Sequence, residues 1–460
     1  MNGILAIALI SVRNAIRSKI VMVLLAFLLI TLIGLPLTLQ GDGTLPGHVR
    51  VLIRYTLGLA TLILSIATVW ASCAAISTEI RDRQIQLVVS KPVRASQIWL
   101  GKWLGLMAIN VLFLMLCFVS TYAALRGTTT PDRWSDTEIE QLHTEILVAQ
   151  YKLAPQPRDV REEVQRQYRA ARARGEWPEE IPTQEVLPRI ERALRTQANS
   201  VPAGSSNRWV FNVPHPPPED RPLILRYRFS LSVMDLDPVS GSWTIGSLQA
   251  SHRQVETFEQ PPRTWHSVAI SPDRIEDDGT LTVEFANHAD RTVTVIFQPD
   301  EGLHLMVYAG GFLMNYFRAG LLILFHLSFL AAVGVTAGAY FSIPVAAMTS
   351  FYALLLINAA RFIGRIAEGT ASGGHGHAHG PHGGWFQDAI HLTSHLVHRG
   401  LYAVIRPLES ANPLDYLVVG EWIPWTEVGY MFGVKVVLYS GILMVLGAWH
   451  MARKEVALPS

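Results

Sequence analysis

"VLIRYTLGLATLILSIATVWASCAAI" (Val51–Ile76) and "WLGLMAINVLFLMLCFVSTYAAL" (Trp103–Leu125) decide how the chain is read. Each is a mostly apolar run of the length, about 20 residues, that an α-helix needs to cross a hydrocarbon core. Working outward, Ile20–Leu39, Ala319–Tyr340, Ile343–Ile363 and Tyr430–His450 qualify as well, the tight Ser342-Ile343-Pro344 break separating the fourth span from the fifth. The expected fold class is an α-helical polytopic membrane protein with six transmembrane helices. Composition agrees: half of the residues are hydrophobic, 16% are charged and the mean hydropathy is +0.25. An average soluble domain is about a quarter charged, so the composition argues against a soluble or disordered chain. The first run is read as a retained span, being too long for a cleaved leader and lacking a small-x-small site after it. Before it, Met1–Lys19 alternates apolar residues with Arg13, Arg17 and Lys19, the pattern of a helix lying on the membrane surface.

The formal net charge of +1 gives no sign of a nucleic-acid partner, but the charge is segregated. Residues 127–304 hold 27 of the 37 acids and 19 of the 38 bases. A polar, slightly acidic insert therefore sits inside a hydrophobic, basic frame of residues 1–126 and 305–460. Arg13, Arg17 and Lys19, then Arg81, Arg83, Lys91, Arg94 and Lys102, then Arg453 and Lys454 fall on one side of six spans, which the positive-inside bias makes cytoplasmic. The insert then faces outward. Lys102 and Lys435 sit near span ends, where long cationic side chains snorkel to the headgroups, and Arg318 reads as an interfacial anchor. The two cysteines, Cys73 and Cys117, both lie in apolar runs, which argues against a disulfide scaffold.

Within the insert, 127–212 reads as a charged helical arm, with Arg and Glu at spacings of three and four in "RDVREEVQRQYRAARARGEW". From 213 to 304 the period changes to two. "LRYRFSLSVM", "SWTIGSLQA", "RQVETFEQ", "TWHSVAIS", "TLTVEFANH", "RTVTVIFQ" and "LHLMVYAG" read as strands, with Leu281, Val283 and Phe285 on one face, and a β-sandwich is the expected closure. Asp235 and Asp237 form the D-x-D pair that metal-dependent sugar transferases use, at a position where an Asp-rich turn explains them as well. No G-x-x-x-x-G-K-[ST], H-E-x-x-H or G-x-S-x-G occurs, so work on a substrate draws its energy from a partner or an ion gradient.

The connection "AISTEIRDRQIQLVVSKPVRASQIWLGKWLG" (Ala75–Gly105) resembles that of the permease subunits of type-2 ABC exporters, including the subgroup that serves nitrous-oxide reductase maturation. In that family an acid follows span two, then basic residues and a K-P stretch ending in G-K. Glu79, Arg81, Lys91, Pro92, Arg94, Gly101 and Lys102 take those positions. The likeness extends to the N-terminal helix, to "FSIPVAAMTSF" and to "PLDYLVVGEWIPW", but not to the insert. It implies a non-enzymatic subunit in a prokaryotic cytoplasmic membrane with both termini inside. It also implies a second permease as homo- or heterodimer, and a separate cytoplasmic ABC ATPase that binds ATP and Mg. A short charged helix between two spans can act as a lever in a cleft of that ATPase. Glu79, Arg81, Asp82, Arg83, Lys91 and Arg94 are the coupling candidates, against the alternative that they are helix ends obeying charge bias.

Between spans five and six, the loop 366–428 carries His375, His377, His379 and His382 in a Gly-rich tract. Asp388, His391, His395 and His398 follow at spacings of three, four and three, on one helical face. Imidazoles in that number suit zinc or copper, although the spacing is no defined zinc pattern and Gly-His tracts are common low-complexity loops. Trp422, Trp425, Tyr416 and Tyr430 read as an interfacial aromatic belt. The resulting expectation is an exporter permease. The alternative is a membrane-anchored binding or assembly factor that uses its outer domain to hold a partner protein and transports nothing.

Overall fold

The computed structural model describes residues 2–39, 41, 43–81, 94–129, 134–175, 183–234, 236–246, 253–289, 293–299, 301–372, 400, 403–409 and 412–453. The chain divides into a helical unit (Met1–Ile146, Phe312–Val419, Ile423–Ser460) and a second unit (Leu147–Gly311, Gly420–Trp422). In chain order the helices are α1 (Asn2–Arg17), α2 (Lys19–Thr38), α3 (Leu45–Arg81), α4 (Ala95–Thr128), α5 (Asp136–Gln141), α6 (Arg161–Ala173), α7 (Thr183–Ala198), α8 (Phe312–Tyr340), α9 (Ile343–Ser372), α10 (Pro413–Val419) and α11 (Trp425–Arg453). Of these, α6 and α7 belong to the second unit.

Five helices among the described residues are long and apolar enough to cross a membrane: α2, Leu45–Glu79 of α3, α4, α8 and α11. α9 opens with a shorter apolar stretch, Ile343–Leu356. A helix rises about 1.5 Å per residue, so the 37 residues of α3 exceed the roughly 30 Å hydrocarbon core and carry its ends beyond it. α2 buries Val21, Leu28, Thr31 and Leu32 but leaves Val23, Phe27, Ile30, Ile33 and Leu37 exposed. A helix apolar on all sides with that much exposed hydrocarbon suits a lipid environment.

Small residues set how closely the spans cross. Gly334 and Gly338 of α8 meet α3: a Cβ at Gly338 would stand 2.6 Å from Cys73 O, and one at Gly334 would collide with Ser72 Oγ. In lipid, such small-x-x-x-small stripes supply the close backbone approach that hydrophobicity cannot drive. Ser77 Oγ then donates to Gly338 O at 2.9 Å. Gly101 and Gly105 of α4 do the same for α1, where Cβ atoms would lie 2.8 Å from Ile7 Cβ and 2.6 Å from Ala8 O. The N-terminal helix expected on the membrane surface is thus docked on the first turns of α4.

The second unit holds three sheets among its described residues. Val148–Leu153 (β1), Leu223–Tyr227 (β4), His266–Ile270 (β8) and Leu303–Gly311 (β11) form one, in the order β1-β11-β4-β8. Ser206–Asn212 (β3), Val239–Ile245 (β6), Gln254–Gln260 (β7) and Thr280–Asn287 (β9) form another, in the order β3-β9-β6-β7. Ser200–Val201 (β2), Phe229–Leu231 (β5) and Val295–Phe297 (β10) form a small third, β2-β10-β5. The inner faces meet in one core. Leu281, Val283 and Phe285 of β9 are fully buried with Leu225 and Tyr227 of β4 and Leu305 of β11. Trp243 sits at its centre, its ring 5.0 Å from Tyr227, 5.1 Å from Phe285 and 5.7 Å from Phe297.

The boundaries differ from the sequence reading. The expected helical arm over 127–212 contains β1, β2 and β3 as well as α6 and α7. β1 pairs with β11 and β3 with β9, so tertiary partners far along the chain override locally helical text. Residues 127–146 group with the helical unit and 305–311 with the sheets. Both cysteines are buried thiols.

Candidate functional site

α3 and α4 flank the connection that the sequence singles out, and a buried ion pair ties them together. Lys102 Nζ lies 2.6 Å from Glu79 Oε1 and donates to Ala75 O at 2.6 Å. Lys102 is 2% exposed and the Glu79 side chain 11%, so the lysine does not snorkel as expected. The reason is local: docked α1 and the close α3–α4 packing cover it, and a charge without water needs a partner and hydrogen bonds. A cavity of about 330 Å³ beside the pair is lined by Asn14 and Arg17 of α1, Thr78 and Glu79 of α3, and Lys102 and Leu106 of α4.

The start of α4 is fastened on its other sides too. Trp99 Nε1 donates to Thr336 Oγ1 of α8 at 3.1 Å, and Thr336 Oγ1 donates to Leu443 O of α11 at 3.1 Å. Gly447 leaves the space that Trp99 fills; a Cβ there would be 2.9 Å from its Cδ1. Trp103 Nε1 donates to Ser328 O of α8 at 3.1 Å. The α4 N-terminus is thus packed against α1 and hydrogen-bonded to α3 and α8, with α11 joined through Thr336 and Gly447.

Of the coupling candidates, Glu79 is in this pair, Arg81 closes α3, and Arg94 is exposed at the N-cap of α4, its N–H donating to Gln97 Oε1 at 3.1 Å. The Arg81 side chain, and Asp82, Arg83 and Lys91, lie outside the described residues. So do His375, His377, His379, His382, Asp388, His391, His395, His398 and Asp235. Among the described residues no group of His, Cys, Asp or Glu is placed to hold a metal ion.

A second site lies inside the helical unit. His326 and Lys435 line a cavity of about 420 Å³ with Thr61 and Ser65 of α3, Asn358 of α9, and Asp415 of α10. Lys435 is 3% exposed, so it too is buried inside the unit where an exposed, snorkelling side chain was expected. It stands in a π-helical stretch, Phe432–Tyr439, and Ser440 Oγ donates to its carbonyl at 2.8 Å. Wide π turns re-aim side chains and recur at functional sites. His326 is near the middle of α8, an imidazole inside an apolar run that sequence reading passed over. Asp415 pairs with Arg54 at 2.8 Å, and Glu427, which accepts from Tyr416 Oη at 3.0 Å, exerts its charge on Lys435. Ionisable groups kept at membrane depth are costly and mark pathways or relays. Arg318 is buried as well, donating to Ile423 O at 3.0 Å with its guanidinium 4.8 Å from the Trp425 ring centroid.

In the β unit, His304 is 3% exposed, and burial together with the cations Lys152, Arg226 and Arg228 pushes its pKa down to about 3. At the start of α3, Glu138 accepts from Leu45 N at 3.3 Å and from Ser135 N at 3.1 Å; the Ser135 bonds, first among these, hold its carboxyl below the usual range.

Comparison of the chain with protein-family models, with curated proteins and with solved structures returned no match.

Proposed function

We propose that the chain is the membrane-spanning subunit of an ATP-driven exporter. Such a subunit has six spans (the described apolar helices plus Ile343–Ile363), and works paired with a second permease and with a cytoplasmic ATPase that binds ATP and Mg. The observation that carries this reading is the Glu79–Lys102 pair. A lever that transmits force needs its two flanking helices locked together at their base, and here a desolvated charge pair locks them beside the connection 82–93. From that base, Trp99 and Trp103 lead into α8 and α11, the helices whose His326 and Lys435 line the polar cavity. A ligand in that cavity would sense the movement. On this reading the N-terminus and the connection 82–93 lie in the cytoplasm of a prokaryote, and the β unit and the histidine loop, with any zinc or copper it takes, lie outside.

The test is purification of the full chain in mild detergent, followed by ATP hydrolysis by whatever co-purifies, for the native chain and for Arg81→Ala with Arg83→Ala. These positions avoid the buried pair, so the variant tests contact with a partner and not folding. A P-loop protein that co-purifies, and whose association or hydrolysis falls in the variant, supports the reading; a preparation without ATPase overturns it. The second reading, a membrane-anchored binding factor, is favoured by one observation, a ligand-sized cavity in the β unit.

A further inference from the structure

The β unit carries a cavity of about 260 Å³ formed where the segment 154–160 crosses the end of α7 and the face of β3. Among the described residues its lining contains three arginines, Arg158, Arg195 and Arg208, and no acidic side chain. Its deep wall is Trp209 and Phe297, 6% and 1% exposed, packed edge to face with centroids 5.2 Å apart. Gln156, Asn199 and Gln298 add amides.

The arginines are held in place from outside the lining. Arg158 Nη2 donates to Asn207 Oδ1 at 2.7 Å and to Arg208 O at 3.3 Å. Arg195 pairs with Glu191 at 2.7 Å, and Arg208 with Glu284 on the neighbouring strand at 3.3 Å. The platform beneath is wired as well: Asn207 Nδ2 donates to Ala198 O at 2.7 Å, Trp209 Nε1 to Asn199 Oδ1 at 2.7 Å, and Gln156 N to Val210 O at 2.8 Å. A guanidinium has five N–H donors, so each arginine keeps donors beyond these contacts. The Nε of Arg195 is buried with no hydrogen-bond partner, a charged donor left unsatisfied by the fold itself.

We propose that this cavity binds a small oxyanion, a carboxylate or phosphate group, gripped by Arg158, Arg195 and Arg208. Planar guanidinium forks match those groups two bonds at a time, which an ammonium does not. Carboxylates that orient the arginines from behind while staying off the lining pre-organise the site without filling it. The site is distinct from the membrane cavity, and its occupancy needs no ATPase, so it stands or falls independently of the exporter reading.

The experiment is titration calorimetry of the full chain in maltoside detergent with citrate and with pyrophosphate, at fixed ionic strength. One molecule of one of these probes is expected per chain, and the preferred probe tells carboxylate from phosphate. Arg158→Gln and Arg208→Gln should each weaken binding about tenfold or more, the usual worth of a charge-assisted hydrogen bond. Arg221→Gln, an arginine of the same unit outside the cavity, should leave binding unchanged. Should one cavity variant misfold by thermal melting, the other decides. Binding of neither probe overturns the proposal. So does equal binding by native chain and folded cavity variants, or an equal loss in Arg221→Gln.

Discussion

Breaking the buried pair at the base of α3 and α4 should cost far more than an ordinary surface ion pair. Two unit charges 2.6 Å apart attract by about 6 kcal/mol at an effective dielectric constant of about 20. That gross attraction is offset by desolvation, heavily for Lys102 at 2% exposure and less for Glu79 at 11%. Glu79→Gln leaves the ammonium buried with only Ala75 O and a neutral amide, and should cost about 3–5 kcal/mol. Lys102→Met leaves the less buried carboxylate behind and should cost less. The double variant removes both charges and should lie within about 1.5 kcal/mol of the native chain, because an apolar replacement for a whole buried pair is often neutral. The assay is unfolding in mixed micelles by increasing sodium dodecyl sulfate, followed by circular dichroism, for the four proteins of a double-mutant cycle. Glu79→Gln at under about 1 kcal/mol, or a coupling energy near zero, would refute the account of the pair as desolvated and mutually dependent.

Three further outcomes follow from the geometry. Gly105→Leu should force α1 off α4 at an overpacking cost of about 1–3 kcal/mol, read as faster tryptic cleavage after Arg13 and Arg17 than in Gly3→Leu, where a side chain meets open space. His304 has a folded pKa of about 3 against an ordinary value near 6.5, so the unfolded chain takes up its proton first as pH falls. Its contribution to stability is therefore lost from about pH 6.5 downward, at no more than about 1.4 kcal/mol per pH unit, and thermal melting of His304→Leu should show a shallower acid dependence. Gly334→Leu should abolish the α3–α8 crossing and prevent recovery of folded protein from detergent, whereas Gly441→Ala, which meets nothing within 4 Å, should be silent in the same extraction.

The frame was legible because lipid imposes one simple rule, a sustained apolar run, and five such runs are helices here. Strands were legible where alternation marks a half-buried surface, as in "TLTVEFAN", which buries every second residue from Leu281, while β4 and β5 read as the one run "LRYRFSLSVM". β1 was not, because it lies in charged, helix-like text and its partner β11 lies about 150 residues later. Register with a remote strand leaves no local signature. Lys102 and Lys435 misled for a related reason. A lysine near the end of an apolar run reads the same whether it reaches water or is sealed under another helix, and only the neighbours, Glu79 and docked α1 for the first, decide. His326 was visible but unmarked; an imidazole within "LLILFHLSFL" carries the signal that any ionisable group at membrane depth carries.

The pairing of β1 with β11 has a consequence for the chain as a modular object. Val148 is the register partner of Gly311, so the polypeptide enters and leaves the β unit at neighbouring points of one sheet. Directly opposed residues on antiparallel strands are about 5 Å apart, the span of a tight turn. The unit is therefore a cassette, and joining residue 146 to residue 312 through a short turn should close the helical frame without redrawing its path. Gly420 and Trp422, which group with the β unit and exchange hydrogen bonds of 2.8 and 2.7 Å with Gln150, would lose their partner and leave a seam to reseal. A lineage could gain, trade or discard such a cassette by recombination at these two junctions, provided that seam was resealed, while the spans it interrupts kept their sequence.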